Sequence, residues 1–133
     1  MLGIIGGSGL YSLEGLHIDR ERTLVTPFGA PSGAISCGEY EGQQIVFLSR
    51  HGSGHRLLPH EINYRANIYA LKTLGAERII SFSAAGSLRQ QIKPGDLALV
   101  EQHFDHTRGR RAQSFFGQGV AAHVYTANPV CAA

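Results

Sequence analysis

Three short segments of this chain concentrate groups that bind anions: Gly6-Gly7-Ser8-Gly9, Arg50-His51-Gly52 and Ser83-Ala84-Ala85-Gly86-Ser87. Glycines let backbone N–H groups approach an oxyanion and line up as a nest. Ser8 and Ser83 offer hydroxyl donors. Arg50 offers a planar fork of N–H donors that suits a phosphate bidentately, and His51 can donate one further bond. None of the three segments contains Asp or Glu. Donors without acids describe a phosphate site. Taken singly, each segment also has a plainer reading. A glycine-rich stretch after a strand is a turn, an Arg-His pair is a surface ion pair, and a small-residue loop permits close strand–helix packing. It is the coincidence of the three that favours phosphate.

The elements that would position these segments are legible around them. Residues 2–5 form a short apolar run that reads as a buried strand ending in the first glycine loop. Residues 34–38 and 44–49 read as two strands of a hairpin, joined through Glu39-Tyr40-Glu41-Gly42. Gly52, Gly54 and Pro59 mark an irregular loop. From residue 60 to residue 74 the period becomes helical, with Ile62, Ala66, Tyr69 and Ala70 on one face. Gly75 stands where a left-handed stop belongs. Residues 78–82 and 97–101 read as further strands, the second introduced by Pro94-Gly95-Asp96. The strand–helix–strand stretch from 44 to 82 predicts a parallel, right-handed unit and hence an α/β fold with an added antiparallel hairpin. Parallel α/β sheets bind ligands beyond the carboxyl ends of their strands. The three anion-binding segments follow the first, third and fourth strands.

Other chemistries fit less well. Gly7-x-Gly9 is followed by Ser12 where a dinucleotide fingerprint needs Gly or Ala, and no GxxxxGK[ST] occurs. Leu10 breaks a Gly-x-Ser-x-Gly elbow around Ser8. His51, His55 and His60 lack the helical HExxH arrangement of a zinc site. His60 reads as local structure and His55 as a brace for its loop. Cys37 and Cys131 form neither a disulfide framework nor a CxxC pair. Of the 133 residues 43% are hydrophobic and 17% charged, which fits one globular domain with a real core. The net charge of +2 is too small to argue for nucleic acid, and the cluster Arg108, Arg110, Arg111 reads as a solvated loop. No secretory signal and no run of about 20 apolar residues is seen, so a soluble, cytoplasmic protein without membrane or nucleic-acid partners is expected.

Beyond these local readings, a series of segments resembles the purine nucleoside phosphorylase family, of the methylthioadenosine or methylthioinosine phosphorylase type. They are Gly3-Ile4-Ile5-Gly6-Gly7-Ser8-Gly9-Leu10, Thr26-Pro27-Phe28-Gly29-Ala30-Pro31-Ser32, Arg50-His51-Gly52, Pro59 with Asn63-Tyr64-Arg65-Ala66-Asn67, and Ser83-Ala84-Ala85-Gly86-Ser87-Leu88. Gln102-His103-Phe104-Asp105-His106-Thr107 and Ser114-Phe115-Phe116 continue the series. The resemblance implies a central mixed β-sheet flanked by helices, with residues 1–133 as the N-terminal part of a single domain. It implies a cytoplasmic trimer, or a hexamer built from trimers, that uses inorganic phosphate as co-substrate and needs no cofactor or metal. The reaction would split S-methyl-5'-thioadenosine, or methylthioinosine, with phosphate into a free purine and 5-methylthioribose 1-phosphate, with ordinary 6-oxopurine nucleosides as the alternative substrates. By position, Ser8, Arg50, His51, Ser83 and the backbone of Ala84 would hold phosphate. Ala84, Ala85 and Gly86 would lie near the ribose and base, and His123 would line the 5′-methylthio pocket of a neighbouring subunit. For His123 a half-buried place in a strand over residues 120–125 is an equal alternative. Ser stands at position 8 where many relatives have Thr, and Ala85 replaces a frequent Cys or Val.

The resemblance also implies that the acid on the leaving base and the residues that recognise it lie beyond residue 133, so that the 133 residues alone would bind phosphate without turnover. Asn128-Pro129 has the form of a helix start. One helix cannot cover both faces of a parallel sheet. Both features lead to the expectation that further polypeptide completes the sheet.

Overall fold

The computed structural model describes residues 1–7, 9–10, 14–107, 109, 112 and 114–123. The chain divides into two compact units, Met1–Ala84 and Ala85–Ala133.

The first unit is a five-stranded mixed sheet with one helix. Its elements are β1 (Leu2–Gly6), β2 (His17–Arg22), β3 (Ile35–Tyr40), β4 (Gln43–Ser49), α1 (Tyr64–Thr73) and β5 (Arg78–Ser81). The strand order is β2-β3-β4-β1-β5. β1 lies between β4 and β5 and is parallel to both, so the expected parallel pairing of the strands before and after α1 spans the first strand. Buried on both faces, β1 is apolar without alternation, as a central parallel strand must be. β3 and β4 form the expected hairpin, but its strands run further in than the sequence suggested. Pairing continues to Tyr40↔Gln43, and Glu41 and Gly42 alone make the turn with φ of 46° and 78°. Two positive φ values in a two-residue turn match the twist of the flanking strands.

β2 has no counterpart in the sequence reading. All six of its residues, HIDRER, are exposed, so it shows no apolar alternation to detect. It exists because β3 offers it an edge, and its charges suit an edge strand.

The helix begins at Tyr64, not at residue 60. The Asn63 side chain accepts the N–H of Ala66 at 3.2 Å and caps the first turn. Ahead of it, Leu58 to Glu61 close a separate turn. The helix stops at Leu74, and Gly75 follows with φ of 96°. Its buried face is Ala66, Asn67, Ala70 and Leu71, while Tyr69, expected inside, is 40% exposed and meets the edge of Phe28 at 5.7 Å. This face packs on Ile5, Ile35, Cys37, Val46 and Leu48. Ile4, Ile45 and Phe47 point to the opposite face, against Leu2, Leu10, Leu16 and Tyr40.

The described residues of the second unit form no helix or strand. Residues 97–101, expected as a strand, form no strand pairing, and Leu97 and Leu99 are 91% and 102% exposed. A strand needs a neighbour for its N–H and C=O groups, and the described part of this unit supplies none. Residues 120–123 likewise form no strand, apart from the isolated bridge Gly117↔Val120. Asn128-Pro129 and the Arg108, Arg110, Arg111 cluster lie outside the described residues. Among the described residues no helix is long and apolar enough to cross a membrane.

Candidate anion site at the strand ends

The sheet order brings the three strand ends side by side. β1 pairs with β4 up to Gly6↔Ser49 and with β5 up to Ile5↔Ser81. The ladder then continues one step on each side. Arg50 N–H donates to the Gly6 carbonyl at 2.8 Å, and Phe82 N–H donates to the Ile5 carbonyl at 2.9 Å. Gly7, Arg50 and Ser83 therefore leave the sheet at one level on adjacent strands.

Across this edge Arg50 Nη1 donates to Ser83 Oγ at 2.6 Å. The guanidinium passes directly over Gly7. A Cβ on Gly7 would stand 2.8 Å from Arg50 Nη2 and 2.5 Å from the Phe82 carbonyl, so only glycine admits both neighbours. The contact also fixes the sense of the Ser83 hydroxyl. Guanidinium can only donate, so Ser83 Oγ accepts and its own proton stays available for an anion. A cation and a hydroxyl donor thus sit within one hydrogen bond of each other, at the carboxyl end of a parallel strand trio. That arrangement can hold a tetrahedral oxyanion.

His51 is placed differently. The residue is only 5% exposed, and its Nδ1–H donates to the Leu57 carbonyl at 2.8 Å. It stacks on His55, with ring centroids 4.2 Å apart and planes at 15°. His55 does brace the loop, as its position suggested. No hydrogen bond joins the His51 imidazole to Arg50 or Ser83 among the described residues. Ala84 follows Ser83, and together with Leu2, Ile4, Ile45 and Phe82 these two residues line a largely apolar hollow of ≈ 490 Å³. Ser8 lies outside the described residues. Ala85, Gly86 and His123 belong to the second unit and are exposed there. The structure therefore unites Arg50, Ser83 and Ala84 of the expected set, and adds Gly7 as the residue that lets them meet.

Comparison with known proteins places the sequence and its fold. A model of the phosphorylase superfamily matches residues 1–133. The S-methyl-5'-thioadenosine phosphorylase of Geobacter sulfurreducens is 55% identical over 132 residues, which are 99% of this chain and 46% of that protein. Its namesake from Thermosynechococcus vestitus is 52% identical, over 99% of this chain and 45% of its own. Among solved structures, a methylthioadenosine phosphorylase from an antarctic soil metagenomic library is 51% identical with a TM-score of 0.89, covering 98% of this chain and 45% of that one. The methylthioadenosine phosphorylase of Schistosoma mansoni in complex with tubercidin is 39% identical, also with a TM-score of 0.89, over 98% of this chain and 46% of that one. The chain thus spans about half the length of the curated relatives it matches. With a family model matched from end to end and the mixed sheet of these solved structures, the chain belongs to the phosphorylase superfamily.

Proposed function

We propose that this chain supplies the phosphate-binding part of a nucleoside phosphorylase that acts on S-methyl-5'-thioadenosine. The observation that carries the reading is the contact of Arg50 with Ser83 over Gly7, a donor pair free of acids at the end of three parallel strands. The names of the similar proteins support the choice of nucleoside. In this reading inorganic phosphate is the co-substrate, no cofactor takes part, and the working enzyme is a cytoplasmic trimer.

The chemistry follows from charge. A phosphate oxygen forms a bond to the anomeric carbon of the ribose while that carbon's bond to the purine nitrogen breaks, and the purine leaves with a proton. Arg50 and Ser83 hold phosphate in one orientation, which removes the entropy of a bimolecular encounter. Held close, its negative charge stabilises the ribosyl cation that develops between the two bonds. Ala84, beside Ser83, would meet the phosphate or the ribose through its backbone, and His51 supports the loop that carries Arg50.

The test uses the protein expressed at the length of its relatives, with methylthioadenosine and with or without phosphate. Adenine and 5-methylthioribose 1-phosphate should form only when phosphate is present. Base release in phosphate-free buffer would make it a hydrolase, and no release from any 6-amino or 6-oxo purine nucleoside would overturn the reading altogether. The 133 residues by themselves are expected to bind phosphate without turnover, since they span about half of such enzymes.

A further inference from the structure

The segment Thr26-Pro27-Phe28-Gly29-Ala30-Pro31-Ser32 is held by α1 at several points. Asn63 Nδ2 donates to the Phe28 carbonyl at 2.6 Å. The Arg65 guanidinium lies 5.0 Å from the centre of the Phe28 ring. Asn67 grips Ser32 twice: its Oδ1 accepts the Ser32 N–H at 2.8 Å, and its Nδ2 donates to Ser32 Oγ at 2.9 Å. Asn67 is 2% exposed and sits on the helix face that otherwise holds Ala66, Ala70 and Leu71. Placing an amide there costs free energy unless both its ends are bonded. An apolar residue would fill the space without that requirement, so the amide serves a purpose other than filling.

Its partner shows what that purpose is. The Ser32 carbonyl lies close beside the loop after β4: a Cβ added to Gly52 would come within 2.8 Å of it, and Gly52 has φ of 72°. Gly52 in turn organises the loop that bears Arg50 and His51. Its N–H donates to the Ser49 carbonyl at 3.0 Å, and its own carbonyl accepts from His55 N–H at 3.2 Å and from Ser49 Oγ at 3.3 Å. A continuous line of contacts thus runs from Asn67 through Ser32 and Gly52 to the residues flanking Arg50.

We infer that Asn67 is a positioning residue for phosphate: through Ser32 it fixes the loop that aims Arg50 at Ser83. The inference rests on the phosphate-site reading given above. It acts first on the phosphate half-site, because the line of contacts ends at Ser49 and Gly52, which bracket Arg50 and His51.

The experiment compares Asn67→Ala, Asn67→Asp, Ser32→Ala and Arg50→Ala in the protein expressed at the length of its relatives, with KM for phosphate and for nucleoside measured separately and thermal unfolding followed in parallel. Asn67→Ala should raise the phosphate KM at least fivefold, with the nucleoside KM within twofold of the parent. Asn67→Asp keeps an acceptor for the Ser32 N–H and can accept from Ser32 Oγ–H, so the phosphate KM should rise less than in Asn67→Ala, short of full recovery because a buried acid is costly and repels an anion. Ser32→Ala, which loses one of the two bonds, should fall between. Should Asn67→Ala fail to fold, Asn67→Asp and Ser32→Ala carry the test. Equal rises in both KM values, or a phosphate KM unchanged in Ser32→Ala and in every Asn67 variant that folds, would overturn the inference. Arg50→Ala separates the two levels. If it too left the phosphate KM unchanged, the phosphate-site reading itself would fall. If it raised that KM while Asn67 and Ser32 did not, only the positioning role would.

Discussion

At the scale of single residues, the candidate site depends on two atoms meeting over a third residue that has no side chain. Arg50 Nη1 and Ser83 Oγ are 2.6 Å apart although 33 positions separate them in the chain. Replacing Arg50 with Ala removes the charge-assisted donors, and the expected loss in kcat/KM for phosphate is about 2–4 kcal/mol. Steady-state kinetics with phosphate as the varied substrate would check it, and unaltered phosphate kinetics would contradict it. Gly7→Ala tests the same contact from below. Its Cβ would need space already held by the Phe82 carbonyl and Arg50 Nη2. A stability loss of about 1–3 kcal/mol is expected from the forced shift, together with a raised phosphate KM. A Gly7→Ala protein with parental melting temperature and phosphate KM would show that the approach is not as tight as described.

At the scale of elements, α1 covers the sheet and, together with its cap Asn63, carries the amides that hold residues 26–32. Its core contribution centres on Leu71, fully buried against Ile5, Val46 and Leu48. Leu71→Ala should cost about 2–5 kcal/mol from lost transfer energy and a residual cavity, read as a fall in the denaturant midpoint. Because Leu71 lies on the sheet and not on the Ser32 contact, phosphate KM should move less in this variant than in Asn67→Ala. The reverse order would mean that packing, and not the Asn67 amide, sets the loop. The sequence showed this helix by its period, yet placed Tyr69 inside and passed over Asn67, since a search for apolar spacing cannot detect a polar residue whose burial depends on a partner 35 positions away.

For the molecule as a whole, a formed anion site should register as stability. Sulfate or phosphate at a hundred times its Kd should add about 2.7 kcal/mol if it binds only the native state. The expected sign is a higher melting temperature on adding either salt, beyond that given by chloride at equal ionic strength. An Arg50→Ala chain should lose most of this increment. Absence of any specific shift in the parent would argue against a site formed within these residues.

The amino-acid sequence by itself determined the parts with local signals. Apolar runs gave β1, β4 and β5, the change of period gave α1, and Gly75 its stop. The residue types after three strands pointed to an anion, because donor chemistry is a property of side chains and glycines wherever they end up. Tertiary structure decided what no window of sequence contains. It set β1 between β4 and β5, and so turned three separate strand ends into neighbours. It recruited the polar run HIDRER as an edge strand, where pairing with β3 outweighs the missing alternation. In residues 97–101 the same rule works in reverse, since β-propensity without a partner leaves an exposed, unpaired segment. The physical reason is common to all three cases: a helix completes its hydrogen bonds within itself, whereas a strand, and a site built on strand ends, takes its bonds and neighbours from residues far away in the chain.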